Sequence, residues 1–431
     1  MNHFKKTILT IGLGLSMTGI VHAQSNTEID QLRAEVEVLR VLLEQYTQTQ
    51  QQQSQHIQQV QTQVSNAVIA QPNQTKTHKP NGLALTVAGS EVKLYGNVRL
   101  DTQFQAEGGA AARLYNQISS VPLHGVNERS DEFKSTLSAT RLGLDFKTPT
   151  QGKEVTGKLE VDFLGGANFD NLRIRHAYVN YGNWLLGQTW SNFAVPDYMP
   201  ESIDALGFVG GAVKRTPQVR YSHRFNPETN LVSSIEDPKD TSISTRMPAF
   251  TTRLNHKLSD TLVLSGRMMA HEKRIDQDEK WAWGVGLGAK YDLLPNTSIK
   301  ADYYHVKGDS SFVSWANAGV LTQNNQIVAQ NEFDSITLGV TQQFNEKLRG
   351  TLGYGLMKFD QDQDYINASL NRTVINKELW QAWANIFYSP TKPISLGVEY
   401  VYGEREAFGA APNGATTGED NRVNAVAIYN F

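Results

Sequence analysis

Five basic residues and two acidic ones carry most of the chemistry this chain can offer. Arg99, Arg141, Lys158, Arg175 and Arg220 fall on the polar side of stretches in which apolar and polar residues alternate. A guanidinium is planar, permanently charged and donates two parallel hydrogen bonds, so it matches a carboxylate. A low-dielectric surrounding strengthens that attraction. Two such groups set apart could hold both ends of a small dicarboxylate and still release it. The competing assignment is that each pairs with an acid on its own face, such as Asp101, Asp145, Glu160 or Asp162, and only braces the wall. In the stretch 172–181 the two faces read alike, so Arg173 and Arg175 cannot both be assigned inward. Glu201 and Asp204 are the acids of a long connection at 192–216.

Other chemistries find little support. The chain has no cysteine, which excludes disulfides, thiol nucleophiles and Cys-ligated metals. There is no Gly-x-Ser-x-Gly, His-Glu-x-x-His or phosphate loop. Gly284-Val285-Gly286-Leu287-Gly288 opens no helix, so it is no dinucleotide site. Asp360, Asp362 and Asp364 imitate the start of a calcium loop, but Tyr365 replaces the turn glycine and Asn371 the closing glutamate. A solvated acidic loop or a loose divalent site both fit. The ten His form no metal pair on one strand. No enzyme activity, cofactor or metal is expected. A net charge of -3 with no basic block gives no reason to expect nucleic acid.

The elements that must position these residues are strands. Val92, Leu94, Gly96, Val98 and Leu100 alternate with Lys93, Tyr95, Asn97, Arg99 and Asp101. The same period of two recurs at 155–163, 281–291 and 396–403. Stretches of about ten such residues cross a bilayer at a tilt. A mean hydropathy of -0.41 excludes a bundle of membrane helices. Short connections (149–153, 182–183, 226–230, 259–261, 294–297, 345–347 and 389–393) alternate with long ones (106–133, 192–216, 237–248, 273–279, 309–331, 360–375 and 406–418). That asymmetry belongs to outer-membrane barrels. The fold class is all-β, a transmembrane antiparallel β-barrel of about 16 strands over residues 83–431, wide enough for an aqueous lumen. Phe431, with Tyr429, Ala427, Ala425 and Val423 on its face, resembles the terminal signal read by barrel insertion machinery. Trp281, Trp283, Trp380, Tyr291, Tyr400, Tyr402 and Tyr429 suit interfacial girdles against membrane lipid. On the polar face only Tyr95 stands out, too little for an aromatic slide.

The N-terminal part reads differently. Lys5 and Lys6, an apolar run to Val21 and Val21-His22-Ala23 make residues 1–23 a signal peptide. From 24 to 70 there is no Gly or Pro, and Ile29, Leu32, Val36, Leu39, Leu43 and Tyr46 keep a heptad spacing. This is an N-terminal α-helical coiled coil, with the disordered Gln-rich tail as the alternative. Residues 71–82 are a linker rich in turn formers.

The connection 192–216 is unusually apolar, with Phe193, Val195, Tyr198, Ile203, Phe208 and Val209. An exposed loop should be polar. These side chains need either the inner barrel wall, as a constriction loop, or a neighbouring subunit. Bulk charge does not settle selectivity, because 83–431 holds 34 bases against 38 acids. An anion channel would need its bases concentrated at the narrowest point.

Lys93-Leu94-Tyr95-Gly96, Thr140-Arg141-Leu142-Gly143, Gly187-Gln188-Thr189-Trp190, Pro217-Gln218-Val219-Arg220-Tyr221 and Gly397-Val398-Glu399-Tyr400 can now be weighed together. With the coiled coil ahead of them, they resemble the DcaP-like porins across essentially the whole mature chain. The resemblance implies a homotrimeric outer-membrane channel with its coiled coil in the periplasm. It also implies passive uptake of small organic anions, especially dicarboxylates and aromatic dicarboxylates. Two other readings stay open: a general-diffusion porin, and an envelope tether acting through its rod, with peptidoglycan as the partner.

Overall fold

The computed structural model describes residues 84–431, apart from 88, 111–113, 116, 168, 207–208, 241–243, 245, 277 and 314–315. The expected signal peptide, coiled coil and linker lie outside the described residues, as does Phe208. A short strand β1 (Ala84–Val87) folds back on the start of β2 (Ser90–Glu107). There follow β3 (Glu132–Thr136), β4 (Arg141–Thr148), β5 (Val155–Gly165), β6 (Asn171–Tyr181), β7 (Trp184–Trp190), β8 (Arg215–Arg224), β9 (Thr229–Glu236) and β10 (Ala249–Lys257). Then come β11 (Leu262–Ile275), β12 (Asp278–Leu294), β13 (Thr297–Lys307) and a small hairpin, β14 (Val320–Gln323) with β15 (Gln326–Gln330). The chain ends with β16 (Glu332–Asn345), β17 (Leu348–Phe359), a one-turn helix α1 (Gln363–Ala368), β18 (Asn376–Thr391), β19 (Ile394–Ala407) and β20 (Thr417–Asn430).

The wall is one antiparallel sheet that closes on itself where β2 pairs with β20. β3 and β4 are two halves of one wall strand, both paired with β2, so the barrel has 16 strands. Phe431 seals the seam through two backbone hydrogen bonds with Gly96, at 3.0 and 3.2 Å. Among the described residues no helix is long and apolar enough to cross a membrane. Alternation sets the two faces: in β16, Phe333, Ser335 and Thr337 are buried while Ile336, Leu338 and Val340 face out. Trp281, Trp283, Tyr291, Tyr400 and Tyr429 are exposed on the outside, and Trp380 stacks there between Tyr354 and Tyr402.

All seven short connections lie where the alternation breaks in sequence. The eighth long-side connection, 166–170, was not anticipated, because five residues carry no strong loop signature. The Asp360–Asp364 segment starts α1: the Asp362 carboxylate accepts from the Asp364 backbone N–H at 2.8 Å and caps the helix.

Two irregularities shape the interior. A bulge in β6 sets Glu160 opposite His176 and Val161 opposite Ile174. The β6–β7 ladder ends at Ala177 and Gln188, although β6 continues along β5 to Asn171. There the Gln188 side chain takes over, donating to the Ile174 and Arg175 carbonyls at 2.7 and 3.4 Å. Past the ends of the ladders with β6 and β9, the β7–β8 tip bends inward, where Trp190 meets Arg175 and His176.

Candidate functional site

The connection 191–214 runs along the inner wall. Phe193 packs edge-on against Tyr304 and Phe312, with ring centres 5.1 and 6.0 Å apart. Glycines make room for its path: a Cβ at Gly288 would strike the Tyr198 ring, and one at Gly339 would strike Pro200. Glu201 is clamped by Arg349 through two hydrogen bonds, at 2.8 and 2.9 Å. Its carbonyl accepts from the Trp383 indole at 2.9 Å and from Asn385 at 3.0 Å. Glu399 accepts from the Ile203 N–H at 2.8 Å, and Arg99 donates to the Ile203 carbonyl at 2.5 Å. Asp204 is buried beside Arg422 at 3.1 Å, and Arg422 also binds Asp420. Burial raises the Asp204 carboxyl to about 7, against the downward pull of Arg422. Both loop acids therefore tie the loop to the wall.

Apolar residues of three long connections share one cluster under this loop. Ile118 and Val121, Phe193 and Val209, and Phe312 and Val313 pack on Met269, Tyr304, Phe333 and Met357. That cluster covers the inner face from β11 to β18. No strand from β2 to β8 contributes a residue to that cluster.

On that side the predicted basic residues meet very different fates. Arg99 is paired with Asp101, at 2.6–3.0 Å. Lys158 contacts Asp145 at 2.8 Å and the Tyr95 hydroxyl at 2.7 Å, and Tyr95 donates to Glu160 at 2.9 Å. Arg175 is buried between Glu160 at 2.6 Å and Asp162 at 3.0 Å. These three brace the wall. Arg173 and Arg175 both point inward, because residues two apart on a strand share a face. Arg173 grips Asp162 through two hydrogen bonds, at 2.7 and 2.9 Å.

Arg141 and Arg220 differ. Asp162 stands opposite Arg141 in register, but Arg173 and Arg175 already occupy it. Arg141 has no ion pair among the described residues, and its buried Nε has no hydrogen-bond partner. Among the described residues Arg220 hydrogen-bonds only the Gln218 side chain, at 2.9 Å, and the Trp190 carbonyl.

Sequence reasoning missed Arg215. By alternation it shares the lipid face of Val219 and Tyr221. The inward turn of the β7–β8 tip reverses that. Its guanidinium lies over the Trp190 ring, 4.3 Å from the centre, and feels the charges of Arg175, Arg173, Asp162 and Arg141. β4 and β8 are four strands apart, about 19 Å along the wall at ~4.8 Å per strand. Across that span Arg215 still lies within electrostatic range of Arg141. Among the described residues Arg215 has no carboxylate partner. Trp190 and His176 stand edge to face at 5.5 Å, so aromatic groups do enter the lumen here. The only sequence signal was the position of Arg215 beside the apolar loop.

Known proteins place this barrel. The sequence model of the DcaP outer membrane protein family matches residues 25–431. The crystal structure of the outer membrane channel DcaP of Acinetobacter baumannii is 37% identical, with a TM-score of 0.72, covering 80% of this chain and 98% of that one. Salmonella typhi OmpF, in complex with daunomycin, is 15% identical with a TM-score of 0.53, covering 81% and 100%. The trimer form of Vibrio cholerae OmpT is 13% identical with a TM-score of 0.52, covering 80% and 100%. The last two share the fold alone. No curated protein sequence matches. With the family model spanning nearly the whole chain, this protein belongs to the DcaP outer membrane protein family.

Proposed function

We propose that this chain is an outer-membrane channel for passive uptake of small organic anions, with dicarboxylates as the favoured class. The observation that supports the reading is that Arg141, Arg215 and Arg220 have no carboxylate partner among the described residues. Each offers a carboxylate the hydrogen bonds that the other arginines spend on wall acids. Arg99, Lys158 and Arg175, with Glu201 and Asp204, hold the constriction open and in place. The concentration gradient drives transport, and the basic wall raises the local carboxylate concentration.

The test is single-channel recording in a planar bilayer under a salt gradient, with phthalate or succinate added. An anion-directed reversal potential with transient block supports the reading. Cation preference without block refutes it and leaves the general-diffusion reading. That second reading has its own support, because most inward arginines are already neutralised by acids.

The working assembly is a homotrimer embedded in outer-membrane lipid and inserted by the barrel machinery. A periplasmic coiled coil over 24–70 fixes the oligomer and reaches toward peptidoglycan. Deleting residues 24–70 should lower the temperature at which the trimer dissociates on a detergent gel. An unchanged profile removes that role.

A further inference from the structure

The outer wall carries a depression of about 700 Å³ where β8 to β12 run side by side. Register explains it. One outward row reads Tyr221, Ser233, Thr252, Met268, Val285 across the five strands. The next row toward the long loops reads Val219, Ile235, Phe250, Ala270, Trp283. Ser233 and Thr252 are small where their neighbours are large, and Ala270 repeats this one row on. The dent has these three as its floor and Tyr221, Phe250, Met268 and Trp283 as its sides.

The floor asks for nothing polar. The Ser233 and Thr252 hydroxyls hydrogen-bond each other at 3.0 Å, and Thr252 also donates to the Val232 carbonyl at 3.3 Å. Trp184 lies tilted against Tyr221, ring centres 4.8 Å apart, and closes the short-turn end. Val219 and Ile235 also border a second depression of about 500 Å³, which continues under Pro238, Met247 and Pro248 of the long connection 237–248. Gln218, Glu236, Asp237 and Arg246 also line that second depression, so a furrow with an apolar lower part runs down the membrane face from a charged long-loop rim. On a barrel of an outer membrane protein family, that face is bathed by hydrocarbon. Met268 supplies a side chain that adapts to an irregular chain.

We propose that this furrow holds one acyl chain of an outer-leaflet membrane lipid, entering from the long-loop side. Each methylene removed from a mobile bilayer position gains contacts with fixed side chains. The site is independent of what the lumen carries.

The test uses full-length protein in lipid vesicles containing phosphatidylcholine spin-labelled near the chain's methyl end. Thr252→Phe and Ser233→Phe each fill the floor. Both should lower the motionally restricted lipid by about one chain per barrel, with single-channel conductance unchanged. Two variants guard against one failing to fold. An unchanged restricted population in both overturns the proposal. So does efficient disulfide pairing of Thr252→Cys between barrels, which would make a second copy the occupant. The chain has no native cysteine to confuse that result.

Discussion

The two sides of the lumen differ in how their arginines are held. From β11 to β20, Arg267, Arg349 and Arg422 sit against Asp302, Glu201 and Asp204. Arg267 and Arg422 are almost wholly buried, and all three are covered by the inner loop or hold it down. From β4 to β8, Arg141, Arg215 and Arg220 are only partly buried and have no carboxylate among the described residues. An arginine becomes a brace when an acid shares its face and a loop excludes water. It is left without a carboxylate when a neighbouring arginine has already taken the acid. Asp162 shows the step: Arg173 and Arg175 claim it, and Arg141 opposite is left over.

Breaking the braced side should have the largest effect. Arg267→Ala leaves Asp302 buried without its partner, a loss of about 3–5 kcal/mol for such pairs. Thermal unfolding in detergent should show a strongly lowered midpoint, whereas Arg215→Ala should hardly move it. Equal shifts for the two would dissolve the distinction.

Gly288→Val is the next step down. The new side chain meets the Tyr198 ring, and overpacking of this kind costs about 1–3 kcal/mol. Pushed off the wall, the loop enters the lumen and single-channel conductance should fall. Conductance equal to the parent would mean the loop does not border the conducting path.

The smallest effect is on pH. Asp204 is held at about 7 by burial, above the ~3.9 of a solvated aspartate. The seated loop therefore binds the proton more tightly than the unfolded chain does. Its contribution is complete below about pH 4 and is lost as pH rises through about 7. The thermal midpoint of the parent should rise modestly as pH falls from 8 to 5, by more than that of Asp204→Asn. Arg422, Asp420, Glu399 and Arg99 surround this group, so the contrast with Asn isolates its share. Parallel profiles would show that Asp204 does not titrate there.

How much of this was legible in sequence follows from the range of the interactions. Alternation is local, so the strands and all seven short turns could be read from residues such as Val92–Asp101 and Gly182-Asn183. The bulge at Arg175 and the short β6–β7 ladder depend on pairing between strands, and no local pattern marks them. Glu201 and Asp204 were visible as loop acids, but their partners Arg349 and Arg422 lie about 150 and 220 residues further on. Arg215 was hidden for a stronger reason. Period-two reasoning assigns it to the lipid face, and only the inward turn of the β7–β8 tip brings it beside Trp190.

The central claim is that Arg141 and Arg215 act together on one solute. The direct measurement is a double-mutant cycle on dicarboxylate block in single-channel recordings, with Arg141→Ala, Arg215→Ala and the pair. Each hydrogen-bonded charge is worth about 1.5–3 kcal/mol, so each single change should weaken block by roughly 10- to 100-fold. The pair should lose less than the product of the two, because a monodentate solute cannot lose its second anchor twice. Undiminished block in both single variants would contradict the account.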